Sequence, residues 1–191
     1  MAVQSKGNVD ELLAKSFKEL ACEQPIEKIT IKEITDRAGV IRPTFYNHFQ
    51  DKYELMEWII LREVLDPVQL LVKSGMVNEA LELIFMAIQR DKEFYIRACR
   101  LEGQNSFEST VRGCIQRVLL GIMEDHAVFQ TPRNSWITPE HIAEYYAQSM
   151  CYVVITWIRS GMPVPPKEMV QVYDYIIRHS MQEVLDGADI H

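Results

Sequence analysis

Thr44, Tyr46, Asn47 and His48 place a hydroxyl, a phenol, an amide and an imidazole within one short run, Arg42-Pro43-Thr44-Phe45-Tyr46-Asn47-His48-Phe49. These groups hydrogen-bond base edges and phosphates without needing a reaction partner. At about 100° per residue, Ile41, Phe45 and Phe49 fall on one face of a helix. The opposite face is centred on Pro43 and Asn47, flanked by Tyr46 and Thr44. Anchoring and hydrogen-bonding groups therefore separate, as they must in a helix that docks in a DNA major groove. Arg42 and Lys52 add cations at the two ends of the stretch. Lys52 also opens a following helix, whose free N–H groups favour an anion. Thr30 and the start of the preceding helix offer the same to a phosphate on the other side. Pro43 suits an early helical position, because its missing N–H would be unpaired there anyway. It also offers an apolar surface to a thymine methyl.

Other chemistry is harder to find. Ser, His and Asp occur in no arrangement that suggests a nucleophile, and no phosphate loop or glycine-rich fingerprint is present. The expectation is no enzyme, no cofactor and no metal. His141 and Glu144 stand at i and i+3, but a solvated helix start explains them better than a metal site. Cys22, Cys99, Cys114 and Cys151 are widely spaced within apolar helical patterns and read as buried free thiols. Arg97 and Arg100, beside Phe94, could form one wall of a pocket for an anionic ligand. An amphipathic helix with solvated arginines is the favoured reading. Tyr146 and Trp157 are further candidates for such a pocket.

These residues need helices to carry them. Val9, Leu12, Leu13, Ser16, Phe17, Leu20 and Ala21 form one stripe of a first helix, from about residue 8 to 22, before Pro25. Thr30-x-x-Glu33 is a capping box opening the second helix, and Gly39 takes the turn after it. The third helix covers about residues 42–49. Asp51 caps a fourth that continues to about Val64, before Pro67. Gly75 marks a break. Helices are expected at about 77–89, 92–101 and from after Asn105 to Asp125, with a loop over 130–136. Thr138-Pro139-Glu140 opens a long helix that ends near Gly161. After Met162-Pro163-Val164-Pro165-Pro166, a final helix runs to Gly187. The expected fold is all-α, with a three-helix helix-turn-helix domain over 1–53 and a helical ligand-binding and dimerisation domain over 54–191. The helix at 139–161 is apolar nearly all round, so one face should meet the core and the other a partner subunit.

The 191 residues carry a net charge of −7. Residues 1–52 hold eight basic and eight acidic groups, so the remaining 12 basic against 19 acidic groups account for the whole imbalance. A neutral reader on an acidic body implies weak non-specific DNA affinity and a need for dimerisation. No apolar run reaches the roughly 18 residues of a membrane span. The polar Met1–Asp10 stretch lacks a secretory apolar region, so a cytoplasmic location is expected.

The runs Ile29-Thr30-Ile31-Lys32-Glu33-Ile34, Ala38-Gly39-Val40, Thr44-Phe45-Tyr46-Asn47-His48-Phe49 and Asp51-Lys52 resemble the DNA-binding domain of the TetR/AcrR family of transcriptional regulators, over about residues 8–60. The Ile41-Arg42 variant and the compact C-terminal half are similar to the subgroup around the dihydroxyacetone-kinase operon regulator. The resemblance implies a homodimer joined through the last two long helices, a palindromic double-stranded DNA operator and a C-terminal domain sensing a small-molecule effector. It also implies DNA contacts at Arg42, Thr44, Tyr46, Asn47, His48 and Lys52. Most members are repressors released by their ligand, and that is the expected function. The alternative is a helical coactivator or interaction protein with little operator binding of its own. Two positions depart from the family pattern. Ile41 stands where a small capping residue is usual, which suggests that packing replaces capping. Pro43 stands where glycine is common.

Overall fold

A computed structural model describes residues 2–103, 106–125 and 134–179, all helical or connecting segments. Helix α1 is Ala2–Glu23, followed by a 3-10 turn at Ile26–Lys28. Helices α2 (Ile31–Ala38) and α3 (Arg42–Tyr46) follow. Helix α4 (Lys52–Ile59) passes into a π-helical segment, Ile60–Leu65, and a 3-10 turn, Asp66–Val68. The body continues with α5 (Gln69–Lys73), α6 (Val77–Arg90), α7 (Lys92–Ala98) and α8 (Phe107–Asp125). Helices α9 (Pro139–Arg159) and α10 (Pro166–Arg178) complete it. The chain is an N-terminal helix-turn-helix joined to a C-terminal helical domain, and no described helix is long and apolar enough to cross a membrane. Most of the expected 130–136 loop, and the end of the last helix toward Gly187, lie outside the described residues.

Local chemistry sets the helix starts around the reader. Thr30 accepts from Glu33 N, and the Glu33 carboxylate accepts from the Thr30 N–H at 2.8 Å, closing the capping box reciprocally. Gly39 ends α2 in the left-handed region at φ 68°, where a side chain would be strained. Asp51 accepts from the N–H groups of Tyr53 and Glu54 and so caps α4.

The helix α3 is shorter than the 42–49 span read from sequence. Past Tyr46, the backbone tightens through His48 N to Phe45 O (2.9 Å) and Phe49 N to Phe45 O (2.8 Å) before the α4 cap. Phe45 and Phe49 are buried as expected, with ring centroids 5.8 Å apart. Ile41 is not: it is 69% exposed. Its φ of −88° and ψ of 152° are extended, so the 100° helical increment does not apply to it and its side chain leaves the Phe45–Phe49 stripe. No side-chain cap bond forms at Ile41 either, so packing does not replace the missing hydroxyl.

The core runs unbroken from the reader into the body. Phe17 of α1 meets Phe94 of α7 edge to face at 6.0 Å, and Lys18 pairs with Glu63 and Asp91 at 2.6 and 3.1 Å. Phe49 meets Trp58 of α4 at 6.0 Å. The thiols of Cys99, Cys114 and Cys151 are buried and free, and burial pushes them up to about 12, 11 and 12, well away from thiolate chemistry.

The Lys52 ammonium lies 2.8 Å from each of three carbonyl oxygens, those of Ile26, Glu27 and Ile29. All three of its N–H donors are therefore used to hold the α1–α2 connection against the start of α4. Burial lowers its pKa from the ordinary lysine value, against the opposing pull of Glu27, Asp51 and Glu33. Lys52→Met should destabilise the fold by about 1–3 kcal/mol in urea unfolding, because it strands the partly buried Ile29 carbonyl and removes the donor to Glu27 and the second donor to Ile26. A second expectation concerns acid. Hydrogen bonds from the Thr30 backbone, the Thr30 hydroxyl and Gln24 lower the Glu33 pKa to about 2. A depressed carboxylate stabilises the fold fully above its unfolded pKa of about 4.3 and ceases to do so as pH falls toward the folded value. The melting temperature of wild type should exceed that of Glu33→Gln at neutral pH, with the gap closing between pH about 4 and 2.

Candidate nucleic-acid interface and buried cavity

Phe45 is fully buried under α3, and its neighbours on the helix necessarily point elsewhere. Arg42, Pro43, Tyr46 and Asn47 are exposed and Thr44 is half-buried, so the outward face predicted from the 3.6-residue period is present. Tyr46 stands 48% exposed while its ring packs edge-on to Phe45 at 5.7 Å. Arg42 donates from Nη2 to the Tyr46 hydroxyl at 3.0 Å, and its guanidinium carbon lies 5.5 Å from the ring centroid. This pair restricts two long side chains before any ligand arrives, which lowers the ordering cost of binding.

Three of the candidate contacts sit differently from the sequence reading. His48 turns inward: Nδ1 is 2.5 Å from Asp10 of α1, and only 10% of its side chain is exposed. It ties α3 to α1 rather than joining the outward face. Lys52, expected as a phosphate grip, spends its donors on the three carbonyls described above. The Thr30 hydroxyl donates to Glu33 at 2.7 Å and accepts from Glu33 N, so it too is engaged within the reader, though exposed. The period that places Phe45 inside does not reveal such partners, because they come from segments distant in sequence.

Much of the positive charge near the reader is also occupied. Arg37 makes a two-pronged pair with Glu23 at 2.5 and 2.7 Å, and Lys32 pairs with Asp36 at 2.5 Å. The outward face of α3 is left dominated by neutral hydrogen-bonding groups around Arg42.

A cavity of about 450 Å³ opens in the body, within the size range of small-molecule sites. The π-helical segment contributes Ile60 and Val64 to its wall, and Phe85 of α6, Val111 of α8 and Tyr173 of α10 complete much of it. Tyr95 and Tyr173 are the only lining side chains with an oxygen or nitrogen among the described residues. Burial raises both phenols above their ordinary pKa, so each remains a neutral donor.

None of the five residues proposed from sequence for an effector lines this cavity. Phe94 is buried against Phe17, while its neighbour Tyr95 is the one that reaches the wall. Arg97 pairs with Glu93 at 2.6 Å and Arg100 is exposed, so the reading of α7 as an amphipathic helix with outward arginines describes them better than an anion pocket does. Tyr146 is 40% exposed on α9. Trp157 is buried behind the wall, its ring centroid 5.2 Å from that of Phe85 in an edge-to-face contact and its Nε1 donating to Val164 O at 2.9 Å. The sequence shows the lining of this cavity only as ordinary core residues, because the π-helical segment and helices α5 to α10 all contribute to it.

Comparison with known proteins places both halves. Residues 17–59 match the family described as bacterial regulatory proteins, tetR family. Residues 77–179, more than half of the chain, match the family described as transcriptional regulator C-terminal region. The chain is 39% identical over 49 residues to the HTH-type dhaKLM operon transcriptional activator DhaS of Lactococcus lactis subsp. lactis (strain IL1403), covering 26% of each protein. It is 34% identical over 70 residues to an uncharacterized HTH-type transcriptional regulator, YxbF, of Bacillus subtilis (strain 168), covering 36% of this chain and 18% of that one. The matched stretches thus span about a quarter and less than a fifth of these relatives' lengths. A solved structure titled dihydroxyacetone kinase operon activator DhaS shares the fold, with a TM-score of 0.60 at 21% identity over 88% of this chain and 94% of that one. With its helix-turn-helix reader and matched C-terminal region, the chain is a DNA-binding transcriptional regulator of the TetR family, not an enzyme.

Proposed function

We propose that this regulator binds a palindromic operator as a homodimer and represses transcription until a small molecule fills the cavity beside α4. The reader occupies residues 1–53 and the sensing and dimerising body residues 54–191. The observation that carries the DNA reading is the split of α3 and the residues just after it, with Phe45 and Phe49 buried beneath an outward face of exposed Arg42, Pro43, Tyr46 and Asn47 and half-buried Thr44. Those five residues are the base and phosphate contacts in this reading. His48 positions α3 through Asp10, and Lys52 positions the start of α4, with Thr30 presented at the edge of the interface.

Dimerisation has its own support. Helix α9 buries Ala143, Ala147, Cys151 and Ile155, yet leaves Tyr145 and Tyr152 about 70% exposed at a seven-residue spacing. Helix α10 likewise buries Met169 and Tyr173 and exposes Val172 and Ile176. Aromatic and branched side chains left outward on adjacent long helices favour burial against a second copy. Two recognition helices would then enter successive major grooves about 34 Å apart.

Helix α4 supports the coupling. Lys52 at one end is bonded to the reader, while Ile60 and Val64 just beyond the other end face the cavity. Single π turns are common where helices are functionally adjusted. A ligand that binds better to a conformation with altered reader spacing shifts the population away from the DNA-bound form. The cavity's lining favours an uncharged, largely hydrocarbon molecule with an acceptor for Tyr95 or Tyr173. A charged group would lose its hydration there without a paired ion.

Activation is the second reading, favoured by the relative whose printed name is that of an operon activator. A promoter-reporter strain with and without the gene separates the two: loss of the gene raises expression under repression and lowers it under activation.

Tyr46→Ala should weaken binding to a sequence selected from random DNA by tenfold or more, measured by fluorescence anisotropy, with an unchanged melting temperature. Unaltered affinity would remove Tyr46 from the interface. The double variant Tyr145→Glu, Tyr152→Glu should elute as a monomer in light-scattering chromatography, because two buried like charges at a dimer seam are strongly disfavoured.

A further inference from the structure

Ile41 lies in the turn between α2 and α3 with 69% of its surface exposed. Isolated exposed hydrophobic residues are ordinary on protein surfaces. The position makes this one different. Its carbonyl accepts from Thr44 N at 2.9 Å, so Ile41 is the N-cap residue of α3, a place where Ser, Thr, Asp or Asn stabilise a helix and isoleucine is among the poorest choices. The helices on either side, α2 and α4, both carry side-chain caps, from Thr30 and Asp51. At Ile41 the reader has neither a cap bond nor the burial that would suit an isoleucine. The side chain gains from contact only when something apolar covers it from outside.

The adjoining exposed residues are Arg42, Pro43 and Tyr46, the face assigned above to DNA. The N-terminal residues of a recognition helix are the ones that meet base edges. On those edges the major groove carries one apolar group, the 5-methyl of thymine. We infer that Ile41 contacts a thymine methyl in each half-site and is a specificity-determining residue of the DNA interface. The inference rests on the reading of α3 as the helix that enters the major groove.

The test uses the full-length protein and the sequence it enriches from a random duplex library. Each thymine of a half-site, with its symmetry mate, is replaced by deoxyuridine, which lacks only the 5-methyl. Wild type should lose about fifteenfold in affinity at one thymine position and its symmetry mate, since burying one methyl corresponds to about fourfold per half-site and the two half-sites multiply. The variant Ile41→Ser, checked for an unchanged dimer and a melting temperature at least equal to wild type, should show less than a twofold loss at that same position. Binding that is indifferent to deoxyuridine at every thymine overturns the inference, as does an Ile41→Ser variant with the wild-type penalty. Both outcomes leave the DNA reading standing. A library that yields no enriched sequence overturns the DNA reading and the inference together.

Discussion

The Lys52 ammonium sits 2.8 Å from three carbonyl oxygens, at Ile26, Glu27 and Ile29, on the connection between α1 and α2. That arrangement fixes how the reader meets the body. The Glu27 and Ile29 carbonyls find their donor in this one side chain from the start of α4, and unpaired carbonyls are costly where they are shielded from water. The Ile26 carbonyl, which also accepts from Ile29 N at 3.1 Å, gains a second bond from it. Helix α4 therefore cannot pivot freely at its N-terminal end without disturbing the turn that leads into α2. The Asp51 cap holds the same corner, and the Phe49–Trp58 contact, 6.0 Å between centroids, ties the residues after α3 to the last turn of α4.

At the other end of α4 the regular helical ladder gives way. The π-helical segment from Ile60 to Leu65 turns Ile60 and Val64 toward a space that neighbouring helices leave unfilled. Well-packed interiors have few such voids. A rigid reader attachment at one end and a loosely filled wall at the other make α4 a suitable lever, since a change in the wall is transmitted rather than absorbed. The continuous core strengthens that link: Phe17 against Phe94, and Lys18 between Glu63 and Asp91, bind α1 to helices of the body.

Paired charges limit what the reader can offer to phosphates. In the net-neutral N-terminal segment Lys18, Lys32 and Arg37 are already paired with carboxylates, which reduces the positive charge available for counterion release. In the proposed reading, DNA binding then depends more on base-edge contacts and on doubling the reader in a homodimer. Arg42 has no carboxylate partner: it is paired with the Tyr46 ring and hydroxyl on the outward face, and that pairing leaves its full charge available.

What the sequence determined by itself was local. The Thr30–Glu33 box, the Asp51 and Thr138 caps, the Gly39 turn and the burial of Phe45 and Phe49 depend on residues a few positions apart, so spacing alone reveals them. The same logic makes the all-α fold and the outward face of α3 legible. It failed at Ile41, where helical periodicity was extended one residue past the helix into extended backbone. Only the tertiary structure decided which polar groups were already engaged: His48 by Asp10, 38 residues away, and Lys52 by carbonyls 23 to 26 residues away. It also decided where the cavity lies. A void is defined by side chains from several helices that fail to meet, and no spacing within one helix records that. Tyr95 and Phe94 are adjacent in the chain, yet one faces the cavity and the other faces α1, because the packing of α7 between them sets the direction of each.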